Sequence, residues 1–426
     1  MDNLEIQFAF GTLKLGFLRI TLKKFDKSVK NFVWRVKNKV YIIKNVNEAQ
    51  KNLRNQYLNY NIQEYGGVKM KRFKKLLPIV MATVMIAATI GGCASANKGT
   101  DTKSGETKSD KSSVLIGSAI YKFDDTFMTG VRTAMESQAK EKGSKIELVD
   151  SQNKQPTQNE QIDTFLTKGV NVLAVNPVDR TAAGPLIEKA KAKKLPIVFL
   201  NREPEKTDMA NYDKVYYVGA KAEQSGTQSG ELLVDYFKAH KEADKNGDGV
   251  IQYVMLQGEP GHQDATLRTE FSIKAIEAGG FKTQKLAADT AMWDKAKATD
   301  LMKAFITGQG LGKIEAVLCN NDDMALGAVE ALKAEGYNKG DATKYIPVVG
   351  VDATAPALQA MKEGSLLGTV LNDAANQGKA TVNIAIASAQ GKEINKENIG
   401  YDVTDGKYVW INYVKVTQEN YKEYIK

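Results

Sequence analysis

A chain of 426 residues, 42% hydrophobic and 26% charged, is long enough for two or three domains with buried cores. Its formal net charge of +9 suggests a nucleic-acid partner, but residues 1–69 hold 13 Lys and Arg against 5 Asp and Glu, and residues 70–92 add four basic residues and no acidic one. From Cys93 onward the net charge is −3, so the charge gives no argument for nucleic acid.

Residues 1–69 are rich in Lys, Asn, Tyr and Phe, contain no Pro and show no sustained hydrophobic period. An export signal follows them, and such signals act at the N-terminus of a protein. The codons for residues 66–69 are able to spell a purine-rich ribosome-binding site just before Met70. We therefore expect translation to begin at Met70 and residues 1–69 to be an upstream extension outside the native protein.

Residues 70–92 have the three parts of an export signal: a basic start, an apolar run from Leu76 to Ile90, and small residues before Cys93. The run is too short for a stable transmembrane helix. Its ending resembles the lipobox of bacterial lipoproteins, which predicts that Cys93 is lipidated and becomes the first mature residue. Residues 93–112 have no apolar period and are predicted to be a flexible tether. The expected location is the outer face of the cell membrane or the periplasm.

From Val114 onward, apolar runs alternate regularly with helical patterns. The predicted strands are 114–120, 145–149, 172–175, 196–200, 215–218, 250–256, 283–287, 314–319, 346–351 and 367–371. The predicted helices are 127–142, 158–168, 182–194, 224–241, 267–278, 296–306, 324–334, 355–362 and 374–389. Continuous apolar strands indicate burial on both faces, hence parallel sheets and a doubly wound α/β fold. Ten strands are many for one sheet, which favours two lobes.

Five of the buried strands are followed by an Asn or Asp, and for any one of these residues alone a helix cap is the commoner explanation. The strand that ends at Leu256 runs into a Gly/Pro turn that holds one of the chain's two histidines. On local evidence, a simpler interpretation is equally good: Asp264 caps the following helix and the other polar residues of the turn are solvated. Ligands of open α/β sheets bind outside the carboxyl ends of strands. The candidates for one polar wall are Asp125, Asn201, Asn321, Asp352, Asn372, His262, Asp264 and Arg268.

Such a wall suits a sugar, because carboxylates accept hydrogen bonds, Arg donates them, and each sugar hydroxyl does both. The apolar faces of sugars stack on aromatic rings, and Phe127 and Trp293 are candidates for the two sides of a sandwich. Core packing is an equally good explanation for each ring taken alone. The chain contains no Gly-x-Ser-x-Gly, His-Glu-x-x-His or phosphate-loop motif, so catalysis is not indicated, although a carboxylate pair for glycoside hydrolysis stays open.

The segment from Asp244 to Gln252 matches the spacing of a calcium-binding loop. The predicted ligands are the side chains of Asp244, Asn246, Asp248 and Gln252 and the carbonyl of Val250. Met255 stands where the loop usually has a bidentate Glu, so another carboxylate has to complete the shell. The alternative is a simple Asp/Asn/Gly turn; as a calcium site, its role is expected to be structural.

Several motifs resemble those of the type I periplasmic sugar-binding family. They include Tyr-Lys-Phe-Asp-Asp-Thr-Phe (121–127), Gly-Glu-Pro-Gly-His (258–262), Asp-Thr-Ala-Met-Trp-Asp (289–294) and Gly-Thr-Val-Leu-Asn-Asp-Ala (368–374). The resemblance covers residues 113–426. It implies that the eight polar residues of the wall hydrogen-bond a hexopyranose, D-galactose or D-glucose, between Phe127 and Trp293. It also implies Glu315 as the missing calcium ligand. Gln263 departs from the pattern, which usually has Pro there.

The resemblance implies two sugar-binding lobes, 113–220 plus 373–408 and 221–372 plus 409–426, with the calcium loop in the second. Three crossings, near Ala220, Asn372 and 407–411, would form a hinge that closes on the sugar. The implied partners are the permease of an ABC importer and, as a further option, a chemoreceptor; the protein is expected to be a monomer without a nucleic-acid partner. Competing hypotheses are a ribose- or xylose-binding protein, a carbohydrate-active enzyme, and a transcriptional regulator of this fold, which the export signal disfavours.

Overall fold

The computed structural model of the chain describes residues 3–7, 17–21 and 113–425. The chain divides into two compact units, Met1–Gly105 and Glu106–Lys426. In the first unit, β1 (Asn3–Gln7) and β2 (Phe17–Thr21) pair antiparallel. The predicted leader, the lipidation site Cys93 and the tether lie outside the described residues. Within the described ranges no helix is long and apolar enough to cross a membrane.

The second unit begins with regular strand–helix repeats. In chain order these are β3 (Leu115–Ile120), α1 (Thr126–Glu141), β4 (Lys145–Asp150), α2 (Gln155–Lys168), β5 (Val172–Val175), α3 (Ala183–Ala192), β6 (Ile197–Leu200), α4 (Lys206–Met209) and β7 (Val215–Gly219). The five strands are parallel in the spatial order β7–β6–β5–β3–β4. This sheet and the helices that cover it form the first lobe.

The remaining elements build a second sheet and then return to the first lobe before the chain ends. They are α5 (Ala222–Ala239), β8 (Val250–Gln257), α6 (Gln263–Ala278), β9 (Lys282–Thr290), α7 (Lys295–Gln309), β10 (Ala316–Cys319), α8 (Asp322–Ala334), β11 (Val348–Val349), α9 (Ala355–Lys362), β12 (Thr369–Leu371), α10 (Ala374–Ala389), α11 (Lys396–Ile399), β13 (Tyr408–Trp410) and β14 (Val414–Val416). The order β11–β10–β8–β9 is parallel, and β14 pairs antiparallel with β12. Single bridges join β12 to β11. This sheet is the core of the second lobe.

The chain passes between the sheets three times, after β7, after β12 and between β13 and β14. β13 pairs with β7, so the first sheet extends to Trp410, two residues beyond the predicted limit at 408. After the second crossing, α10 packs on α1 of the first lobe at Gly378. A Cβ there would lie 2.6 Å from the carbonyl oxygen of Val131, so only Gly allows this approach. The three crossings make the boundary between the lobes a narrow hinge.

The predicted parallel, doubly wound α/β architecture is confirmed. In β5, Val172 and Ala174 pack into an apolar cluster on one face of the first sheet, while Leu173 and Val175 pack into another on the opposite face. Each fully buried Val or Leu side chain of this kind contributes roughly 1.5–3 kcal/mol of burial free energy. The elements α4, α11, β13 and β14 were not predicted, because three or four residues are too few for a periodic pattern.

Candidate functional site

The ten residues predicted to contact a sugar line a single cleft between the lobes. The first lobe contributes three of them from the ends of β3 and β6, the second lobe contributes six, and one lies at the second crossing. They are Asp125, Phe127 and Asn201; His262, Asp264, Arg268, Trp293, Asn321 and Asp352; and Asn372. The cleft contains about 370 Å³ of space not filled by atoms. Part of this space is open to solvent.

Three of the polar cleft residues, Asp125, Asn321 and His262, are also helix caps. The Asp125 Oδ1 atom accepts a hydrogen bond from the Met128 amide at 2.7 Å and begins α1. The Asn321 Oδ1 atom accepts one from the Met324 amide at 3.0 Å and begins α8. Capping and lining the cleft are therefore compatible, since each cap fixes the side chain at the end of a strand where the cleft opens.

His262, rather than Asp264, caps α6, which corrects the simpler interpretation of that turn. Its Nδ1 atom accepts a hydrogen bond from the Asp264 amide at 3.1 Å. Burial, together with Arg202 and Arg268, lowers the pKa of His262 well below its usual value. The ring is therefore neutral, and because Nδ1 is an acceptor, the proton is on Nε2. His262 thus has one fixed hydrogen-bond donor left for a ligand.

Arg268 and Asp264 form a buried ion pair in the first turns of α6. The Arg268 Nη2 atom lies 3.2 Å from Asp264 Oδ2 and donates to the Tyr413 hydroxyl at 2.9 Å, while Nη1 donates to the Asn320 carbonyl at 2.8 Å. The Arg268 Nε atom is buried and has no acceptor among the described residues. Burial raises the pKa of Asp264, and Arg268 partly opposes that shift. The pair presents both a donor and an acceptor to the cleft.

Asp352 and Asn372 form a second polar pair on the floor of the cleft. The Asn372 Nδ2 atom donates to Asp352 Oδ1 at 3.1 Å, and Asn372 Oδ1 accepts from Gln377 Nε2 at 2.6 Å. Burial raises the pKa of Asp352 well above its usual value, with Arg268 opposing that shift. Gln377 fixes the orientation of the Asn372 side chain, so that its Nδ2 atom faces Oδ1 of Asp352. The other carboxylate oxygen of Asp352 is left to accept a hydrogen bond from a ligand.

Three cleft residues adopt backbone conformations that side chains other than Gly rarely take. Asn201 has a φ of 61°, Trp293 of 62° and Asp352 of 124°. Such conformations cost of order 1–3 kcal/mol each and cluster at ligand sites, where the fold holds a side chain in a direction that a relaxed backbone would not give. These three side chains are therefore held in place at a cost to stability.

The two aromatic residues lie on opposite lobes. Phe127 is buried against the core of the first lobe, and Trp293 is half-buried beside His262, with the ring centroids 5.1 Å apart. A Cβ on Gly258 would lie 2.2 Å from Trp293 Cζ2, so the indole sits directly on the glycine backbone. Both rings line the cleft, as a stacking role requires.

The sequence predictions did not assign three further residues of the cleft wall, Tyr121, Met128 and Arg202. The Tyr121 hydroxyl donates to Asp125, and the Arg202 guanidinium lies 3.9 Å from the centre of the Tyr121 ring. Tyr121 and Arg202 lie next to the ends of predicted strands, and this position is the one feature of the sequence that could have indicated a place in the cleft. What they contact depends on the tertiary structure.

The predicted calcium loop folds around Asp244. Its carboxylate accepts hydrogen bonds from the amides of Gly247 at 2.8 Å and Gly249 at 2.8 Å. Glu315 lies against the loop and accepts from the amides of Lys245 at 2.7 Å and Gln252 at 3.0 Å. Among the described residues, no group of three or more His, Cys, Asp and Glu side chains is placed to hold a metal. The loop and its predicted carboxylate lie together, and the carboxylate oxygens of Asp244 and Glu315 accept hydrogen bonds from backbone amides of the loop.

The chain matches the model of the periplasmic binding protein domain over residues 116–393. It is 42% identical over 348 residues to the D-galactose/methyl-galactoside binding periplasmic protein MglB of Haemophilus influenzae, covering 82% of this chain and 98% of that protein. It is 31% identical to a putative rhizopine-binding protein of Rhizobium meliloti, covering 72% and 92%.

A solved relative is an ABC transporter solute binding protein from Bacillus halodurans with bound myo-inositol. It shares 30% identity and a TM-score of 0.62, covering 74% of this chain and 99% of that one. The family match spans more than half of the chain, and the two-lobed α/β fold agrees with it. The chain therefore belongs to the type I periplasmic binding protein family.

Proposed function

We propose that this protein captures D-galactose or D-glucose in the cleft between its lobes and delivers the sugar to the permease of an ABC importer. The observation that carries the proposal is the convergence of ten residues, predicted as a sugar site, on one cleft. The 42% identity to a galactose-binding protein supports the hexose assignment. The relatives bind solutes rather than transform them, which favours a binding protein over an enzyme.

The chemistry of the cleft suits a neutral polyol. Carboxylates at Asp125, Asp264 and Asp352 accept hydrogen bonds, while His262 Nε2 and Arg268 Nε donate them. Each sugar hydroxyl donates and accepts, so it is able to bridge neighbouring groups of both kinds. A ligand that lacks one hydroxyl leaves a buried polar group unpaired, which costs about 1–3 kcal/mol and gives the site its selectivity.

The lobes contact each other across the cleft. The Thr126 hydroxyl of the first lobe donates to Asp323 of the second at 2.7 Å, and Gln263 Nε2 of the second donates to Glu203 of the first at 3.3 Å. With only three crossings between the sheets, sugar entry and release proceed by hinge opening.

The family implies export. We further propose a lipid anchor at Cys93, a monomeric state and, as a second partner, a chemoreceptor.

The loop at Asp244 is proposed to hold a structural Ca²⁺. Gln252 Oε1, at the ninth position of the loop, is buried and has no hydrogen-bond partner in the described structure. Burial raises the pKa of Glu315, and Asp244 adds to that rise, as expected for acidic groups gathered around a cation site. Asp244, Asn246, Asp248, Glu315, the Val250 carbonyl and Gln252 would hold the ion. Hard oxygen donors of this kind suit calcium.

Chelation tests the calcium proposal directly. Removing divalent cations should lower the melting temperature, and adding Ca²⁺ should restore it, because an ion that binds only the folded state stabilises that state. In Glu315→Gln the chelator should have a smaller effect. An unchanged melting temperature with and without chelator would contradict a bound ion.

Thermal unfolding with added sugars tests the binding proposal. D-galactose and D-glucose should each raise the melting temperature and change the fluorescence of Trp293, which lines the cleft. A rise with ribose or xylose but with neither hexose would overturn the hexose assignment. Chromatography of the incubated sugar distinguishes binding from catalysis, since an enzyme would return a changed product.

A further inference from the structure

A buried ion pair crosses the cleft at a place that the sugar-contact prediction did not include. Arg202 follows Asn201 at the end of β6 in the first lobe, and Glu259 follows Gly258 after β8 in the second. The Arg202 Nη2 atom lies 2.7 Å from Glu259 Oε2, and the two side chains are 5% and 19% exposed. Each of the other ion pairs among the described residues joins two side chains of the same lobe, so the Arg202–Glu259 pair is the one that connects the lobes.

Arg202 is held in place by contacts within the first lobe. Its Nη1 atom donates to the Val178 carbonyl at 2.5 Å, and its guanidinium stacks on Tyr121. The hydroxyl of Tyr121 in turn donates to the cleft residue Asp125. The arginine is therefore prepositioned by its own lobe, and Glu259 reaches it only when the second lobe approaches.

The pair stands between two cavities. Arg202 and Tyr121 line the inner cleft, whereas Glu259 lines an outer cavity of about 740 Å³ on the other side. Tyr121 and Trp293 line both cavities and form the wall between them. A ligand that moves from the outer cavity to the inner cleft has to pass this wall.

We propose that Arg202, Glu259 and Tyr121 form a gate that closes over the bound sugar and sets how long it stays bound. The inference rests on the proposed sugar-binding function and adds positioning residues to it. Closing the lobes joins Glu259 to Arg202, and the sugar leaves only after that pair separates. Because both side chains are largely removed from water, the separation is slow and only weakly screened by salt. The gate therefore acts on the dissociation rate more than on the association rate.

Stopped-flow fluorescence of the full chain with D-galactose and D-glucose tests the gate. Glu259→Gln keeps the shape of the side chain and removes its charge; we expect the dissociation rate to rise about 10-fold and the association rate to change less than about 3-fold. The matched control is Glu363→Gln, which breaks the partly exposed Lys333–Glu363 pair at 3.2 Å within the second lobe and should change neither rate. Arg202→Lys keeps the positive charge but loses the planar stack, and should give an intermediate dissociation rate.

The outcomes separate the gate from the proposed function. If the wild-type protein binds neither sugar, the proposed function fails and the gate fails with it. If the wild-type protein binds and both Glu259→Gln and Arg202→Lys release sugar at the wild-type rate, the gate alone is wrong. A fall in association rate with an unchanged dissociation rate would also overturn it. Circular dichroism melting without sugar shows whether each variant is folded, and the two variants on opposite lobes provide independent tests.

Discussion

Asp264→Asn tests whether the buried carboxylate serves the ligand rather than the fold. The substitution keeps the size of the side chain and removes its charge. A hydrogen bond to a charged group contributes about 1.5–3 kcal/mol net, and 1.4 kcal/mol corresponds to tenfold in Kd, so the Kd for D-galactose should rise roughly 10- to 150-fold. Calorimetric titration measures the change.

The stability of the sugar-free protein should change by less than about 1 kcal/mol in the same variant. Burial raises the pKa of Asp264, so losing the charge removes a desolvation cost. Arg268 keeps its hydrogen bonds to the Asn320 carbonyl and the Tyr413 hydroxyl, and an Asn oxygen still accepts from it. Urea unfolding without sugar measures this change.

The control is Glu270→Gln on the same helix, which breaks the exposed pair with Lys274 at 2.6 Å. It should leave both affinity and stability unchanged, because exposed ion pairs contribute little. A Kd for Asp264→Asn within about threefold of the wild type would refute the assignment of Asp264 as a ligand contact. A loss of several kcal/mol of stability with little loss of affinity would assign it to the fold instead.

Two other substitutions follow from the cleft. Gly258→Ala places a methyl group against Trp293 and should displace the indole, weakening sugar binding at least about tenfold by calorimetry; an unchanged affinity would exclude Trp293 as a rigid stacking surface. The pKa of His262 is lowered in the folded state, so the unfolded chain takes up more protons as the pH falls below about 6.5, and stability decreases by up to ~1.4 kcal/mol per pH unit. His262→Gln should remove this pH-dependent contribution of the imidazole to stability. The free energy of unfolding of the wild type should therefore approach that of the variant as the pH falls from 7.5 to 5.5. A difference that stays constant over this range would contradict a neutral, buried imidazole.

The sequence was informative about the cleft because buried parallel strands are apolar runs, and the residue that follows each run is polar where a cleft opens. Asp125, Asn201 and Asp352 were identifiable for that reason. The pattern did not show whether such a residue caps a helix or contacts a ligand, and Asp125 and Asn321 both cap helices and line the cleft. Only the convergence of eight polar side chains and two aromatic rings on one cleft distinguishes a site from a set of caps, and convergence is a property of the tertiary structure.

Other features depended on contacts that no local pattern specifies. Arg202 meets Glu259 across 57 residues of sequence, and Glu315 meets the calcium loop across 63 residues measured from Gln252. Resemblance to a family suggested Glu315, but the residues alone did not. The choice of His262 over Asp264 as the cap of α6 depends on side-chain geometry, because both residue types accept an amide hydrogen bond.

A calorimetric titration of the protein against a panel of polyols tests whether the cleft selects a hexopyranose. The panel is D-galactose, D-glucose, D-ribose, D-xylose and myo-inositol. We predict saturable binding of one galactose or glucose per chain, with the other three compounds binding more weakly or not at all. Tighter binding of ribose, xylose or myo-inositol than of both hexoses, or no binding of either hexose, would show that the cleft is not a hexopyranose site.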